Sequence, residues 1–80
     1  MEKARDFGTA DLRAIDPGKG VTLEIQHPGD IFTLRSKAYR WNAIEGVLIN
    51  CKISVKNDKE SGTCRVTKRI VKAKPWQQKR

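Results

Sequence analysis

The chain is poor in the residues that build covalent or metal-held scaffolds. Its 80 residues include two cysteines, Cys51 and Cys64, and one histidine, His27. Two thiols are too few for a disulfide scaffold, and one imidazole does not complete the ligand set of a structural zinc site. We therefore predict no metal and no cofactor, and we expect both cysteines to be reduced core residues.

Long apolar runs are also missing. No stretch approaches the roughly 18 to 20 apolar residues that a membrane span requires. The first residues, MEKARDFGTADLR, lack the apolar core of a secretory signal peptide. These two absences predict a cytoplasmic protein without a membrane partner.

The sequence offers little for catalysis. His27 precedes a proline in a turn, and no serine, cysteine or acidic pair has a spacing typical of a nucleophile or an acid–base couple. The segment DPGKG is too short for a phosphate-binding loop and lacks the Ser or Thr that follows the lysine of a Walker motif. We predict that the protein is not an enzyme and has no catalytic residue.

What the chain has in excess is positive charge. Lys and Arg number 17 against 9 acidic residues, for a formal net charge of +8, and such a field attracts polyanions. Residues 1–33 carry a net charge of −2, whereas residues 34–80 carry +10. Any polyanion footprint therefore belongs to the second part of the chain.

The length allows one domain, because a chain this short cannot support two hydrophobic cores. We expect a poorly ordered leader at 1–20, a single α+β domain at 21–71 and a basic tail at 72–80. Strict alternation of apolar and polar residues predicts a strand at 21–26 and two more at 51–57 and 62–71. The polar loop NDKESG joins the last two into a hairpin.

One helix is predicted at 35–49, with Ser36 as its N-cap. Its apolar residues form a stripe that suits a helix lying on a sheet; they are Leu34, Ala38, Trp41, Ile44 and Leu48. The preceding IFTL is either a brief strand or the lead into the helix. A second apolar line of Tyr39, Ala43 and Val47 indicates a partner surface, with a homodimer as one option.

The predicted fold is a three-stranded antiparallel sheet packed on this helix in the order β-α-β-β. Its predicted core comprises Val21, Leu23, Ile25, Phe32, Leu34, Ala38, Trp41, Ile44, Leu48, Ile53, Val55, Cys64 and Val66. With a loop at 57–62, Val55 pairs with Cys64 and Ile53 with Val66. Cys51 then faces Lys68, so we expect no structural disulfide.

The polar face of the hairpin is the most informative feature. Lys52 and Lys56 project from one strand, and Arg65 and Arg69 from the other, all opposite the apolar side chains. Like charges on adjacent strands repel, so an anionic ligand explains them better than stability does. The alternative is that they keep a sheet edge from pairing with other edges.

The helix edge and the tail extend this predicted nucleic-acid-binding set. Its further members are Arg35, Lys37, Arg40, Asn42, Lys68, Lys72 and Lys74. Arg and Asn side chains are common readers of base edges in a major groove, while lysines contact phosphates.

Two resemblances point the same way. LRSKAYRWNAIEGVL followed by KISVKNDKESGTCRVTKRI resembles the recognition helix and wing of winged helix-turn-helix proteins, although residues 1–20 do not provide the earlier helices of that fold. The order of strand, helix and hairpin, with the ending Arg65 to Arg69, is similar to small basic phage-encoded accessory proteins. These resemblances imply DNA binding, and the second also implies targeting of a host protein.

The sequence therefore predicts a non-enzymatic nucleic-acid-binding protein. Double-stranded DNA is favoured over RNA because no aromatic pair is placed for stacking single-stranded bases. The alternative is a small protein-interaction module that inhibits or redirects an acidic or nucleic-acid-handling host enzyme, and net charge alone does not separate the two.

Overall fold

The computed structural model describes residues 2–71. The elements are a 3₁₀ helix at Ala4–Asp6, helix α1 at Thr9–Ala14, strand β1 at Gly20–Glu24, helix α2 at Gly29–Trp41, a π-helical segment at Asn42–Gly46, helix α3 at Val47–Ile49, strand β2 at Cys51–Asp58 and strand β3 at Thr63–Ile70. The predicted fold class is confirmed, since a three-stranded antiparallel sheet packs against a helix.

The sheet has β3 at its centre, in the order β1-β3-β2. The predicted alternation is present, because Cys51, Ile53, Cys64 and Val66 are buried while their neighbours along each strand are exposed or half-buried. The helices cover the face that carries these buried residues, which we call the inner face. Within residues 2–71, no helix covers the opposite face, which we call the outer face.

The hairpin register differs from the prediction by two residues. Val55 lies opposite Val66, and Ile53 lies opposite Lys68, so the predicted pairing of Val55 with Cys64 is wrong. Because side chains alternate with a period of two, a shift of two residues keeps every side chain on its predicted face. The prediction of faces is therefore correct although the prediction of partners is not.

The turn explains the shift. The strands run as far as Asp58 and Thr63, which leaves a turn of residues 59–62. The Ser61 hydroxyl and backbone N–H lower the pKa of the nearby Asp58 carboxyl, and the hydroxyls of Ser61 and Thr63 lie 2.7 Å apart. A side chain that closes the turn in this way extends the ladder beyond the point where the polar composition suggested a loop.

The segment predicted as a poorly ordered leader belongs to the core. Its buried residues are Ala4, Phe7, Leu12 and Ile15. They lie singly among charged residues, so they give no periodic signal in the sequence. The Nζ of Lys37 also donates a hydrogen bond to the carbonyl oxygen of Phe7 at 3.1 Å, which fixes this segment to α2.

Polar contacts hold the same segment against later parts of the chain. Arg13 makes a bidentate pair with Glu45, with Nε–Oε1 and Nη2–Oε2 distances of 2.7 and 2.9 Å. The hydrogen bonds of this pair lower the pKa of Glu45. The backbone N–H of Gly18 donates to the carbonyl oxygen of Lys68 at 2.7 Å. The domain therefore includes residues 2–20 as well as 21–71.

Helix α2 begins at Gly29, earlier than predicted, so IFTL is part of the helix and Ser36 is not its N-cap. The Asp30 carboxylate accepts hydrogen bonds from the backbone N–H groups of Gln26 and His27 at 3.2 and 3.1 Å. This fixes the entry of the chain into the first turn. The inward residues are then Ile31, Leu34, Ala38 and Trp41, which leaves the predicted core residue Phe32 exposed.

The π-helical segment changes which residues after Trp41 face the core. A π-helix bonds each residue to the fifth along rather than the fourth, and the buried position that follows Trp41 is accordingly Gly46. Ile44 and Leu48, which a regular helix would bury, are 67% and 78% exposed. Their prediction as core residues is wrong for this reason.

The rest of the predicted core is confirmed. Leu23, Leu34, Ala38, Trp41, Ile53, Cys64 and Val66 are buried, and Val21, Ile25 and Val55 pack against them. Cys51 and Cys64 are both free and buried. None of the helices in residues 2–71 is long and apolar enough to cross a membrane.

Two leucines test this account of the core. We expect Leu12→Ala to lower the free energy of unfolding by about 2–5 kcal/mol, because its fully buried side chain would leave a cavity. The control Leu48→Ala removes the same atoms from an exposed site and should change it by less than about 0.5 kcal/mol. Urea unfolding followed by circular dichroism measures both. Equal losses would contradict the packing of the N-terminal segment.

Candidate nucleic-acid interface

The outer face carries four exposed cations in two cross-strand pairs. Lys52 lies directly opposite Arg69, and Lys56 lies directly opposite Arg65. Among residues 2–71, none of the four has a carboxylate within 4.0 Å. Like charges facing each other across strands are destabilising. We call these four residues the cationic face.

Small residues separate the two pairs. Gly20, Thr67 and Ser54 form one row across the three strands, midway between the pairs. A further row at the turn end of the sheet contains Glu24 and Asp58, which limits the positive surface on that side. The hydroxyls between the cations are suitable donors to phosphate oxygens.

Arg65 is held along the sheet by its neighbours on β1. Its Nη1 donates a hydrogen bond to Thr22 Oγ1 at 3.2 Å. A Cβ atom on residue 20 would lie 3.2 Å from Arg65 Nη2 and 2.8 Å from Thr67 Cγ2. Glycine at this position therefore makes room for the guanidinium of Arg65, which is an exposed residue.

Lys68 does not belong to the predicted interface. It is 2% exposed and lies on the inner face, where its Nζ donates to the carbonyl oxygen of Arg13 at 3.1 Å. The Nζ also lies 4.7 Å from the centroid of the Trp41 ring, a cation–π contact. A side chain buried in this way does not reach a phosphate, so its inclusion in the binding set is wrong.

The side-chain amide of Asn42 is likewise engaged in contacts within the domain. Its Oδ1 accepts a hydrogen bond from the backbone N–H of Ile53 at 2.7 Å, and its Nδ2 donates to the carbonyl oxygen of Ile53 at 3.0 Å. The side chain thus replaces a neighbouring strand at the edge of β2. Its role as a reader of base edges is contradicted, because both ends of the amide are already bonded.

The remaining helix cations lie on the other side of the domain. Arg35 and Arg40 are exposed on α2, which packs on the inner face, so the sheet separates them from the cationic face. Lys37 is half-buried and bonded to the N-terminal segment. The predicted set is therefore divided between two surfaces.

The helical region does not provide a helix-turn-helix pair. The chain is continuously helical from Gly29 to Ile49, through α2, the π-helical segment and α3, whereas that motif needs two helices joined by a turn. Tyr39, Ala43 and Val47 are exposed along this run. Their use in a homodimer stays a prediction.

Comparison with known proteins adds nothing to this geometry. No family model, curated protein or solved structure matches the chain. The assignment of the surface therefore depends on its own residues.

Two members of the predicted set, Lys72 and Lys74, lie outside the described residues. Within residues 2–71, no group of three or more His, Cys, Asp or Glu side chains is arranged to hold a metal ion. On the cationic face, four exposed cations share one surface, and among residues 2–71 none of them forms a salt bridge.

Sequence reasoning missed the polar residues between the cations, and it included one lysine wrongly. The alternation of side chains along each strand, with a period of two residues, indicates both the missed residues and the wrongly included lysine. Ser54 and Thr67 share the parity of the outward cations, whereas Lys68 shares the inward parity of Cys64 and Val66. The contribution of Gly20 and Thr22 had no such signal, because it depends on β1 pairing with β3.

The role of Asn42 can be tested by truncation. Asn42→Ala leaves the N–H and C=O of Ile53 without their partners, so we expect a loss of about 1–3 kcal/mol in the free energy of unfolding. Asn57→Ala is the control, since its side chain has no hydrogen bond among residues 2–71 and its loss should be small. Duplex binding by the folded Asn42→Ala protein, measured by fluorescence anisotropy, should be unchanged. A loss of affinity without a loss of stability would restore the base-reading role.

Proposed function

We propose that the protein is a non-enzymatic binding protein for double-stranded nucleic acid, with DNA favoured, and that the cationic face is its binding surface. The observation that carries the proposal is the placement of Lys52 opposite Arg69 and of Lys56 opposite Arg65 on a sheet face that no helix of residues 2–71 covers. Like charges directly opposite one another across strands are destabilising, and among residues 2–71 none of these four cations has a carboxylate within 4.0 Å. A bound polyanion would remove that cost.

The dimensions of the surface support a duplex as the ligand. The two pairs are four residues apart along the hairpin, which corresponds to about 13 Å. This is close to the width of about 12 Å for the major groove of B-DNA. Each cationic pair would then contact the phosphates on one side of the groove, with Ser54 and Thr67 facing the space between.

The composition of the face supports a duplex over a single strand. Proteins that bind single strands stack the bases on aromatic side chains. The described aromatic residues lie elsewhere, with Phe32 and Tyr39 on the helical side and Phe7 and Trp41 in the core. Binding would therefore consist mainly of phosphate neutralisation with release of counterions, and it would carry little sequence information.

Double substitutions of equal charge locate the binding surface. We expect K52A/R69A and K56A/R65A each to flatten the slope of log K against log salt by about 1.8, since each removes two phosphate contacts. The control R35A/R40A removes the same charge from the other side of the domain and should leave the slope nearly unchanged. The measurement is fluorescence anisotropy with a 20-base-pair random duplex at several salt concentrations.

With four contacts, the unsubstituted protein should lose about 150-fold in affinity between 50 and 200 mM salt. An equal change of slope in all three double variants would show that net charge, rather than the cationic face, determines binding. A slope near zero in the unsubstituted protein would refute nucleic-acid binding by phosphate contact.

A charge reversal separates stability from binding. Lys52→Glu would place opposite charges across the strands, facing Arg69, so we expect the free energy of unfolding to rise by about 0.2–1 kcal/mol at low salt. Duplex affinity should fall, because one phosphate contact becomes a repulsion. Lys59→Glu, in the turn and without an opposing cation, is the control and should not be stabilised. A Lys52→Glu protein that binds as tightly as the unsubstituted chain would contradict the proposal.

A second candidate, a protein-interaction module that inhibits or redirects a host enzyme, is supported by a different observation. One end of the domain exposes apolar side chains; they are Ile44, Val47, Leu48, Ile49, Ile70 and Val71. The Val71 N–H donates to the Asn50 carbonyl oxygen at 2.7 Å, which brings the end of β3 beside α3. Contiguous exposed apolar surface is typical of protein contacts. A protein that shows no duplex shift in the salt titration, but retains a partner protein, would favour this candidate.

A further inference from the structure

A groove separate from the cationic face lies between the start of α2 and the turn end of the hairpin. It has a volume of about 540 Å³ and an apolar floor that includes Ile25, Ile31 and Phe32. This volume is within the range of about 300–1,000 Å³ typical of ligand pockets. A second hollow shares Phe32 and Arg35 with it and continues along α2 to Tyr39 and Arg40.

The lining of this groove is positively charged. Arg35 and Lys59 contribute cations, while no Asp or Glu lines either hollow. The nearby Asp30 carboxylate is bonded to the backbone N–H groups of Gln26 and His27. An occupant that places apolar side chains on the floor and carboxylates at the rim would complement both properties.

The groove borders the part of β2 that remains open for pairing. The backbone N–H and C=O of Ile53 point away from β3, since both bond to Asn42. Because these directions alternate along an antiparallel strand, Val55 and Asn57 also point their N–H and C=O groups to the edge. Among residues 2–71, nothing bonds to these groups of Val55 and Asn57, and Asn57 itself lines the groove.

Asn42 and the π-helical segment restrict this opening to one half of the strand. Asn42 occupies the edge at Ile53, and a Cβ on Gly46 would lie 2.5 Å from the carbonyl oxygen of Cys51, so the helical segment closes the edge there. The open half is short, at Val55–Asn57. It ends beside the apolar floor and the cations of the groove.

We infer that this groove is a docking site for an acidic peptide segment of a partner protein, which adds as a strand to β2 at Val55 and Asn57. In this arrangement the main chain of the peptide pairs with the edge, as in other strand-addition complexes. Its apolar side chains contact Phe32 and Ile31, and its carboxylates contact Arg35 and Lys59. A nucleic acid fits less well, because pairing with a strand edge requires peptide N–H and C=O groups.

A model peptide tests the inference without knowledge of the natural partner. The probe is a fluorescein-labelled octapeptide of alternating Glu and Leu, titrated with the full chain at low salt and followed by anisotropy. We expect saturable binding, and an octapeptide of alternating Lys and Leu should not bind. Failure of the acidic peptide to saturate the signal at about 1 mM, a concentration that corresponds to a weak contact, would overturn the inference.

A matched pair of variants tests the strand pairing. Asn57→Pro removes the N–H that points to the edge without breaking a bond to β3, and proline is tolerated at such edge positions. Asn57→Ala keeps that N–H. We expect the proline variant to bind the peptide about fivefold more weakly than the alanine variant, the effect of one hydrogen bond. Equal affinities would refute strand addition.

Two further measurements keep the test independent of folding and of the proposed duplex binding. Two further peptides are N-methylated at alternate amides, one at the odd-numbered and one at the even-numbered residues. We expect one of them to bind the unsubstituted chain more weakly than the parent peptide, because its methyl groups replace the N–H groups that pair with β2. Equal affinities of both methylated peptides and the parent would refute pairing. Arg35→Glu should weaken the acidic peptide by about tenfold, as loss of a complementary charge at a groove, whereas K52A/R69A should leave it unchanged. Displacement of the peptide by the 20-base-pair duplex would overturn the assignment of two separate sites.

Discussion

The central position of β3 is the constraint on which the rest of the structure depends. Because β3 bonds to β1 on one side and to β2 on the other, the face of the sheet on which each of its side chains lies is fixed. Cys64, Val66 and Lys68 enter the interior, while Arg65 and Arg69 project from the outer face. A slip of one residue would reverse every one of these assignments, so the core and the cationic face are specified together.

The π-helical segment has a comparable influence on the other side of the sheet. The extra residue in its turn carries the inward position from Trp41 to Gly46 and exposes Ile44 and Leu48. It also brings Asn42 to the edge of β2, where the amide bonds to Ile53. The π-helical segment thus determines where the apolar stripe of the helix ends and which part of the β2 edge is closed. It also determines which apolar side chains are exposed at the end of the domain.

The charges of the domain follow two different patterns. Where a cation serves the fold it has a partner: Arg13 pairs with Glu45, Lys37 bonds to the carbonyl of Phe7, and Lys68 lies over Trp41. The cations of the cationic face lie opposite one another across the strands instead, and among residues 2–71 none of them forms a salt bridge, although Arg65 donates a hydrogen bond to Thr22. A small domain has little stability to spare, and this contrast is why we associate the outer face with a ligand rather than with folding.

The sequence by itself determined the α+β class, the approximate positions of the three strands, the face on which each strand residue lies and the concentration of charge after residue 33, because these depend on composition and on a period of two within single strands. Only the tertiary structure decided the packing of residues 2–20, the hairpin register, the phase of the helix after Trp41 and the roles of Lys68 and Asn42. Each of these depends on contacts between segments distant in the chain. Leu12 has no periodic neighbours to mark it as core, and an asparagine on a helix gives no sign that it will meet the backbone of Ile53. A pattern along one segment indicates which residues can be buried. The residues from other segments that bury them or bond to them are determined only by the tertiary structure.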